Sequence, residues 1–439
     1  MTNMKRALYL MLCALLTLLV CAGCTQEMGL TEKAQDVLAK LTTGSFEALT
    51  EQFDENMLAV VDAAALESAW GSVTGQLGPV TGVAAAQEDE ASRTAALLMQ
   101  HENGSALLVV VYDEAGRIAG LSINPQAAAV QTVARDLPQG ASAQRVALFE
   151  GSERELAGEI LLPAGADANT PFVVFAHGSG PSDMDETVGG VKPLRDLAYD
   201  LAALGVGSLR FDKITYAHPE WPVETVDQEY LEPVVEALAV LKAQTGAQRV
   251  YLVGHSEGGM LAPYLVQQCG FDGAVALAGT PWQLWEISHV QNLAVLETLP
   301  KEQRHEVLYM QVEAEREKAM RLTEMSDEEA SGTVVFGVSA IYQRHMAMMD
   351  QAQIAKESGK PFLFLWGEKD VQVSREAYEA WQERLGQDAR FVYKTYPGLN
   401  HLFVTAEAGE TIANVQQAYQ APKTVDAQVA QDIAAWLAQ

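Results

Sequence analysis

The sequence is poor in cysteine and in basic residues. Its four cysteines are Cys13, Cys21, Cys24 and Cys269, and the first three lie in or beside an apolar N-terminal leader. A mature chain with so few thiols has no disulfide framework and no metal site built from cysteine pairs. Lys and Arg number 29 against 58 Asp and Glu, which gives a formal net charge of −29. This charge excludes nucleic-acid binding as an expected function, because phosphate backbones would be repelled.

The N-terminal apolar run, Ala7 to Val20, is too short to span a bilayer comfortably, since about 20 apolar residues are needed. It follows two basic residues and ends in small ones, which is typical of a secretory signal. Its ending, CAGC, resembles a bacterial lipoprotein box, so residues 1–23 are predicted to be a lipoprotein-type signal peptide with Cys24 as the lipidated residue. The leucine usual three positions before such a cysteine is missing, and ordinary cleavage after Ala22 is the alternative. We expect an exported protein held on the outer face of a bacterial membrane only through this lipid, or otherwise a secreted one.

A chain of 439 residues with 49% hydrophobic and 20% charged residues predicts two folded units beside the leader. In the first, residues 24–125, apolar residues recur at helical spacing up to about Gln76 and predict three short helices. Three strands follow, over 94–100, 106–113 and 117–124. This order predicts a small α+β domain, for which we hypothesise a fold like that of nuclear transport factor 2. Its single histidine, His101, precedes Glu-Asn-Gly and is expected in a solvated hairpin turn.

Residues 126–143 are predicted to be a linker, and residues 144–439 show a different pattern. Apolar runs bounded by glycine alternate with helical segments, which predicts buried parallel strands in a doubly wound α/β sheet with helices on both faces. From about residue 281 to 358 the alternation stops, and mostly helical sequence intervenes before the next strand, KPFLFLWGEKD. A helical insertion at this place in such a sheet is expected to form a lid.

The stretch YLVGHSEGGM places Ser256 between two glycines. The Gly-x-Ser-x-Gly pattern is weak by itself, but here a strand precedes it and a helix begins at Glu257, which is the context of a nucleophile elbow. In such a turn the serine is strained, and neighbouring backbone leaves no room for side chains at Gly254 and Gly258. Ser256 is therefore predicted to be a nucleophile.

A serine hydroxyl needs a base to take its proton and an acid to orient that base. Of the histidines after Ser256, three fall in the insertion, whereas His401 follows the last strand in the loop YPGLNHLF. His401 is therefore the predicted base. Glu368 and Asp370 both end the preceding strand, and Asp370 is preferred as the acid because its spacing after the strand matches the usual acid loop.

Acyl transfer also needs two hydrogen-bond donors for the oxyanion. The backbone amide of Glu257, directly after the nucleophile, is one candidate. The loop FAHGSGPSD offers the other, for which we predict the amide of Ser179. A phosphate-binding role for this loop is disfavoured, because it lacks Gly-Lys-Ser/Thr and carries carboxylates.

The segment HGSGPSDMDETVGGVKPLRDLAYDLAALGVGSLRFDK, with GHSEGG and YPGLNHLF, resembles the α/β-hydrolase superfamily and, within it, a subgroup of bacterial serine esterases with an N-terminal domain of unassigned function. The resemblance implies Ser256, Asp370 and His401 as a catalytic triad and carboxylic-ester hydrolysis as the activity. The loop of that subgroup often reads Asp-x-Arg-Asp-Glu-Thr, whereas Met184 stands here in place of the arginine. The neighbouring carboxylates are interpreted either as structural or as pocket-lining: Asp183, Asp185 and Glu186.

We therefore expect a serine hydrolase that cleaves small-molecule esters through an acyl-enzyme, without a metal or an organic cofactor. A peptidase or aminoacyl hydrolase of the same fold is one alternative. A non-catalytic cell-surface binding protein on a hydrolase scaffold is the other. The insertion carries aromatic and methionine side chains that belong either to its core or to an apolar acyl site: Trp282, Trp285, Met310, Met320, Tyr342, Met346, Met348 and Met349.

Overall fold

The computed structural model describes residues 29–90, 92–126 and 131–439 of the chain. Its contacts divide the chain into two units, Met1–Ala129 and Val130–Gln439. The predicted signal peptide and Cys24 lie outside the described residues, and the finer domain bounds drawn from the sequence stay predictions. Among the residues that are described, no helix is long and apolar enough to cross a membrane.

The first unit has helices followed by an antiparallel sheet, as its sequence predicts. The helices within its described residues are α1 (Leu30–Thr43), α2 (Phe46–Thr50), α3 (Glu55–Val60) and α4 (Ala63–Leu77). The strands are β1 (Val80–Asp89), β2 (Thr94–His101), β3 (Gly104–Tyr112) and β4 (Ile118–Gln126), and they pair in chain order. Helix α1 buries one face, and alternate residues of β2 and β3 are buried against it, so the helices and one sheet face share a core.

Three expectations for this unit are wrong in detail. Four helices form instead of three in the part of this unit that the structure describes, because Asp54 and Asp62 each accept a hydrogen bond from a backbone amide three residues on and begin a new helix. Strand β1 was not predicted, because it is an edge strand that is rich in alanine and exposed along most of its length. His101 is buried and not solvated, since its Nδ1 lies 2.7 Å from the carbonyl oxygen of Gly78 and its ring packs near Trp70.

In the second unit, eight of the described strands form one sheet. In chain order the strands are β5 (Ser142–Leu148), β6 (Leu156–Leu162), β7 (Phe172–Ala176), β8 (Gly207–Phe211), β9 (Val250–His255), β10 (Ala274–Leu277), the short pair β11 (Val334–Val335) and β12 (Val338–Ser339), β13 (Phe362–Gly367) and β14 (Phe391–Tyr396). The sheet order is β14-β13-β10-β9-β7-β8-β6-β5, with β11 and β12 forming a separate hairpin. Only the pairs of β6 with β5 and β8 are antiparallel within this sheet. The predicted doubly wound, mostly parallel α/β sheet is confirmed.

Both faces of this sheet are buried. Along β7, Phe172 and Val174 belong to one core, whereas Val173 and Phe175 belong to the core on the opposite face. A strand covered on both faces needs apolar residues at every position, which explains the continuous apolar runs in the sequence.

The α-helices in the described part of this unit are α5 (Pro193–Ala203), α6 (Ile214–Ala217), α7 (Glu232–Thr245), α8 (Glu257–Met260), α9 (Ala262–Cys269), α10 (Leu284–Thr298), α11 (Glu306–Met320), α12 (Asp327–Ser331), α13 (Ala340–Ala347), α14 (Gln351–Ser358), α15 (Arg375–Leu385), α16 (Val415–Ala418) and α17 (Ala427–Leu437). A π-helical turn, Asp227–Leu231, leads directly into α7. Helices α10 to α14 lie between β10 and β13, with the β11–β12 hairpin among them. The predicted helical insertion is therefore confirmed.

The parallel strands bring distant segments to one edge of the sheet. The loop with Ser179 follows β7, Ser256 follows β9, Asp370 follows β13 and His401 follows β14. Because these four strands run parallel, their carboxyl ends lie at the same edge, where open α/β sheets bind ligands.

Candidate active site

Ser256 lies in a sharp turn between β9 and α8. Its φ of 50° and ψ of −112° are strained for a residue with a side chain. The turn is packed so closely that a Cβ at Gly254 would overlap the carbonyl of Gly258, and a Cβ at Gly258 would overlap the carbonyls of Ala176 and His177. The local backbone is therefore that of a nucleophile elbow.

His401 and Asp370 are in direct contact. Nδ1 of His401 lies 2.7 Å from Oδ2 of Asp370, and both side chains are buried. The other oxygen of Asp370, Oδ1, accepts hydrogen bonds from the backbone amides of Gln372 at 2.8 Å and Val373 at 2.9 Å. The carboxylate is thus fixed by its own loop and can hold the imidazole with its Nε2 free of Asp370.

The side chain of Glu368, the other candidate for the acid, contacts residues other than His401. Its Oε1 accepts a hydrogen bond from the hydroxyl of Thr395 at 2.8 Å, and Oε2 lies 3.6 Å from the guanidinium of Arg375. The structure therefore brings Asp370, and not Glu368, to His401.

A cavity of about 470 Å³ lies beside the elbow. It is lined by Ser256 and its neighbour Glu257 together with Ser179 and His401, so these residues share one space although they come from three separate loops. Asp370 is not part of the cavity wall, but it contacts three residues that are: His401, Gln372 and Val373.

The backbone amides of Ser179 and Glu257 make no hydrogen bond within the described part of the chain. Glu257 is the first residue of α8, where amides have no intrahelical partner. Ser179 belongs to the loop after β7, and its neighbour Gly178 lies so close to the elbow that an added Cβ would be 3.2 Å from Cβ of Ser256. Within the described residues, the backbone amides of the two predicted oxyanion donors are therefore without a partner, and both residues line the cavity wall next to Ser256.

Part of the wall comes from the insertion between β10 and β13, which supplies Leu284, Ile287, Ser288, Gln291, Gly337, Val338, Ser339 and Tyr342. Of the aromatic and methionine residues singled out in the sequence, only Tyr342 is among them. Met346 and Met349 are buried in the core, whereas Met310, Met320 and Met348 are exposed. The apolar part of the wall is thus mainly aliphatic.

The side chain of Glu257 points into a buried polar group. Its Oε1 accepts a hydrogen bond from the hydroxyl of Tyr342 at 2.9 Å, which joins the insertion to the elbow. Burial raises the pKa of the Glu257 carboxyl, and the nearby carboxylate of Glu229 raises it further against the opposing effect of Lys213.

A second histidine–carboxylate pair lies behind the elbow, and the sequence argument did not identify it. Nδ1 of His255 is 3.0 Å from Oε1 of Glu186, and Nε2 of His255 is 3.0 Å from the carbonyl oxygen of His401. Burial alone would raise the pKa of Glu186, but the charge and hydrogen bond of His255 outweigh it and lower the pKa to about 2. Burial likewise opposes the charged form of His255, yet Glu186 raises its pKa above the usual value. The pair is therefore a buried ion pair.

The carboxylates Asp183, Asp185 and Glu186 do not line the cavity. Asp183 accepts hydrogen bonds from the amide and the hydroxyl of Thr187, and Asp185 pairs with Lys192 at 2.9 Å and with the buried Arg210. Of the two interpretations left open by the sequence, their contacts favour the structural one. The spacing of these three carboxylates in the sequence could not distinguish a structural role from a pocket-lining one.

Comparisons with known proteins extend these observations. The model of the alpha/beta hydrolase family matches residues 173–415. A curated relative, Esterase EstD of Thermotoga maritima, is 29% identical over 400 residues, which cover 90% of this chain and 92% of the relative. That alignment is longer than the second unit, so it reaches into the first.

Solved structures with a similar fold include two esterases. Est1E from Butyrivibrio proteoclasticus is 15% identical, covers 63% of this chain and 96% of its own, and has a TM-score of 0.41. The esterase Pf2001 of Pyrococcus furiosus is 14% identical, covers 70% of this chain and 95% of its own, and has a TM-score of 0.42. The family model matches more than half of the residues, which confirms the resemblance seen in the sequence: the chain belongs to the alpha/beta hydrolase family.

Proposed function

We propose that this protein is a serine hydrolase that cleaves carboxylic esters through an acyl-enzyme intermediate. The observation that carries the proposal is the His401 imidazole, held by Asp370 at 2.7 Å and sharing one cavity with a serine in a strained elbow. The name of the T. maritima relative, an esterase, supports the choice of ester as the bond that is cleaved.

In the acylation step, Nε2 of His401 takes the proton from Oγ of Ser256 as that oxygen bonds to the ester carbonyl carbon. The carbonyl oxygen becomes an oxyanion and accepts hydrogen bonds from the amides of Ser179 and Glu257. When the tetrahedral intermediate collapses, the bond between carbon and the alcohol oxygen breaks, and the imidazolium gives its proton to that oxygen. The alcohol leaves, and the acyl group stays on Ser256.

Deacylation repeats these roles with water. His401 takes one proton from a water molecule while the water oxygen bonds to the acyl carbon, and the same two amides hold the second oxyanion. The bond between carbon and Oγ of Ser256 then breaks, the proton moves from His401 to Oγ, and the carboxylic acid is released. Asp370 keeps its charge throughout and stabilises the imidazolium each time it forms.

The substrate is proposed to be a small-molecule ester. A volume of about 470 Å³ falls within the range of small-ligand sites, and a wall of aliphatic residues with a few polar groups suits an ester. No metal or organic cofactor takes part in the proposed steps.

The ester proposal is tested against its closest alternative, amide cleavage, with matched acyl groups. We expect p-nitrophenyl acetate to be hydrolysed with a kcat/KM well above that of p-nitroacetanilide, and Ser256→Ala to abolish both. Faster cleavage of the anilide would identify an amidase or peptidase instead. Failure of both substrates, together with failure of Ser256 to react with a fluorophosphonate, would favour a non-catalytic binding protein.

We further propose that the protein acts outside the cytoplasm, anchored through a lipid on Cys24. The proposal rests on the CAGC box after a short apolar run that follows two basic residues. A soluble, secreted form after cleavage at Ala22 is the alternative.

A further inference from the structure

The carbonyl oxygen of Gly178 accepts two hydrogen bonds from buried side chains. Nζ of Lys213 donates to it at 2.8 Å and the hydroxyl of Tyr230 donates to it at 3.0 Å. Lys213 is 1% exposed and Tyr230 is 3% exposed, so water does not compete for this carbonyl. Both lone pairs of the oxygen are therefore occupied by donors from outside the loop.

The ammonium group of Lys213 has a partner for each of its three hydrogens. Besides Gly178, it donates to the hydroxyl oxygen of Tyr230 at 2.8 Å and pairs with Oε1 of Glu229 at 2.8 Å. Its charge also lies 4.4 Å from the centroid of the Tyr230 ring. A buried ammonium is costly unless it is fully paired, and here the pairing fixes its position.

The peptide unit that receives these bonds also contains the N–H of Ser179. In a planar trans peptide the carbonyl and the following N–H point in opposite directions, so fixing one direction fixes the other. The other side of Gly178 is held as well, because its own amide donates to Oε1 of Glu186 at 2.6 Å. The N–H of Ser179 makes no hydrogen bond within the described residues, and Ser179 lines the cavity.

We propose that Lys213 and Tyr230 are positioning residues that aim and strengthen the Ser179 amide as an oxyanion donor. A cation at the carbonyl oxygen draws electron density through the peptide and leaves its N–H more positive, and linked hydrogen bonds strengthen one another in this way. The effect grows when negative charge develops on the substrate oxygen, so it lowers the energy of the transition state more than that of bound substrate. This inference rests on the proposed esterase function.

Two variants remove the donors with little change of shape. Tyr230→Phe deletes one hydroxyl. Lys213→Met combined with Glu229→Gln deletes the ammonium together with the carboxylate charge that it pairs with directly, so that Glu229 does not stay buried as an unpaired charge. The matched control is Tyr378→Phe, because the hydroxyl of Tyr378 is also buried and also donates to a backbone carbonyl, that of Phe364, at 3.2 Å.

The readouts are kcat and KM for p-nitrophenyl acetate and the Ki of a trifluoromethyl ketone, whose adduct with Ser256 carries an oxyanion. Removing an oxyanion donor outright costs about 10²–10³ in kcat, so weakening one is expected to cost less, roughly 5-fold for Tyr230→Phe and roughly 50-fold for the double variant. We expect KM to change by less than about 2-fold and the Ki to rise in proportion to the loss of kcat/KM.

The inference is overturned if the loss appears in KM alone, if the Ki does not follow kcat/KM, or if Tyr378→Phe loses as much as Tyr230→Phe. If the double variant does not fold, Tyr230→Phe alone decides the question. A wild type that hydrolyses no ester overturns the proposed function and this inference with it. A wild type that is active and fluorophosphonate-reactive, with unchanged variants, overturns only the inference.

Discussion

The ion pair of Glu186 with His255 holds three parts of the site together. Glu186 accepts a hydrogen bond from the amide of Gly178, His255 immediately precedes Ser256, and the second ring nitrogen of His255 lies 3.0 Å from the carbonyl oxygen of His401. The loop with Ser179, the turn at Ser256 and the loop with His401 are therefore fixed to one another by one buried pair. Hydrogen bonds of this kind hold reacting groups close to the distances and angles that catalysis requires.

The same pair makes a pH-dependent contribution to stability. The folded pKa of Glu186, about 2, lies below its ordinary 4.5, so its contribution is present above pH 4.5 and is lost as pH falls towards 2. The folded pKa of His255 lies above its ordinary 6.5, so its contribution is present below pH 6.5 and is lost as pH rises through the raised value. The pair is thus complete between about pH 4.5 and 6.5.

Glu186→Gln should lower the free energy of unfolding by roughly 2–4 kcal/mol near pH 5.5, with a smaller difference from wild type at pH 3 and at pH 9. Urea unfolding at a series of pH values measures the difference. The exposed Glu153 gives the control, because Glu153→Gln should leave the curve unchanged. A Glu186→Gln difference that is constant with pH would contradict the ion pair.

At the scale of the elements, the elbow depends on close backbone contact. Gly254→Ala would drive a methyl group into the carbonyl of Gly258, which cannot move without shifting the elbow. We expect loss of soluble protein, or folded protein with activity lowered by at least about 10²-fold, since small misplacements of a nucleophile have that effect. Gly71→Ala, in α4 with open space around it, should instead stabilise by up to about 1 kcal/mol. Activity assays and thermal melts distinguish these outcomes, and an active, stable Gly254→Ala protein would refute the tight turn.

The short hairpin of β11 and β12 offers a test of whether the insertion forms a wall of the proposed acyl site. Val338 lines the cavity, whereas Val334 in the paired strand is 55% exposed. Val338→Trp should lower kcat/KM for p-nitrophenyl octanoate by about 10-fold or more relative to the acetate, because a filled pocket rejects longer chains. Val334→Trp should leave the ratio of the two esters unchanged. If the two variants show the same ratio of kcat/KM for the two esters, the insertion does not select the acyl chain.

The elements that the sequence predicted well are those whose environment follows from their own residues. Strands β7, β9, β10 and β13 are buried on both faces, so their apolar runs mark them directly. Edge strand β1 is exposed and rich in alanine, and it is held by its pairing with β2, which no local pattern reveals. For the same reason His101 was misplaced, since its partner, the carbonyl of Gly78, lies 23 residues away.

At the scale of the whole molecule, Ser256, Asp370 and His401 could be proposed from the sequence because the topology of parallel strands places their loops at one edge. The sequence could not indicate the roles of Lys213, Tyr230 and the pair of Glu186 with His255. Their positions depend on how the segments before α6 and α7, the end of β9 and the loop after β7 pack together, and a buried charge carries no local signature in a sequence. The predicted bounds of the domains and the fold of the first unit beyond its α+β class stay predictions.

The proposed lipid anchor is also a property of the whole molecule. In a bacterial host, the wild type should fractionate with membranes and be released by detergent, whereas Cys24→Ser should appear in the soluble fraction, because the anchor is the only proposed membrane contact. Both proteins should hydrolyse p-nitrophenyl acetate at the same rate in detergent, since the proposed catalytic residues lie elsewhere. A wild type that is soluble without detergent would contradict the anchor and favour secretion.

The central claim, that Ser256 carries the acyl group, is tested most directly by fluorophosphonate labelling followed by mass spectrometry of tryptic peptides. The account predicts one adduct per chain, on the peptide with Ser256, and loss of ester hydrolysis in proportion to labelling. It also predicts no adduct on Ser256→Ala, whose activity should fall by at least about 10³-fold. An adduct on a different residue, with ester hydrolysis surviving in Ser256→Ala, would contradict it.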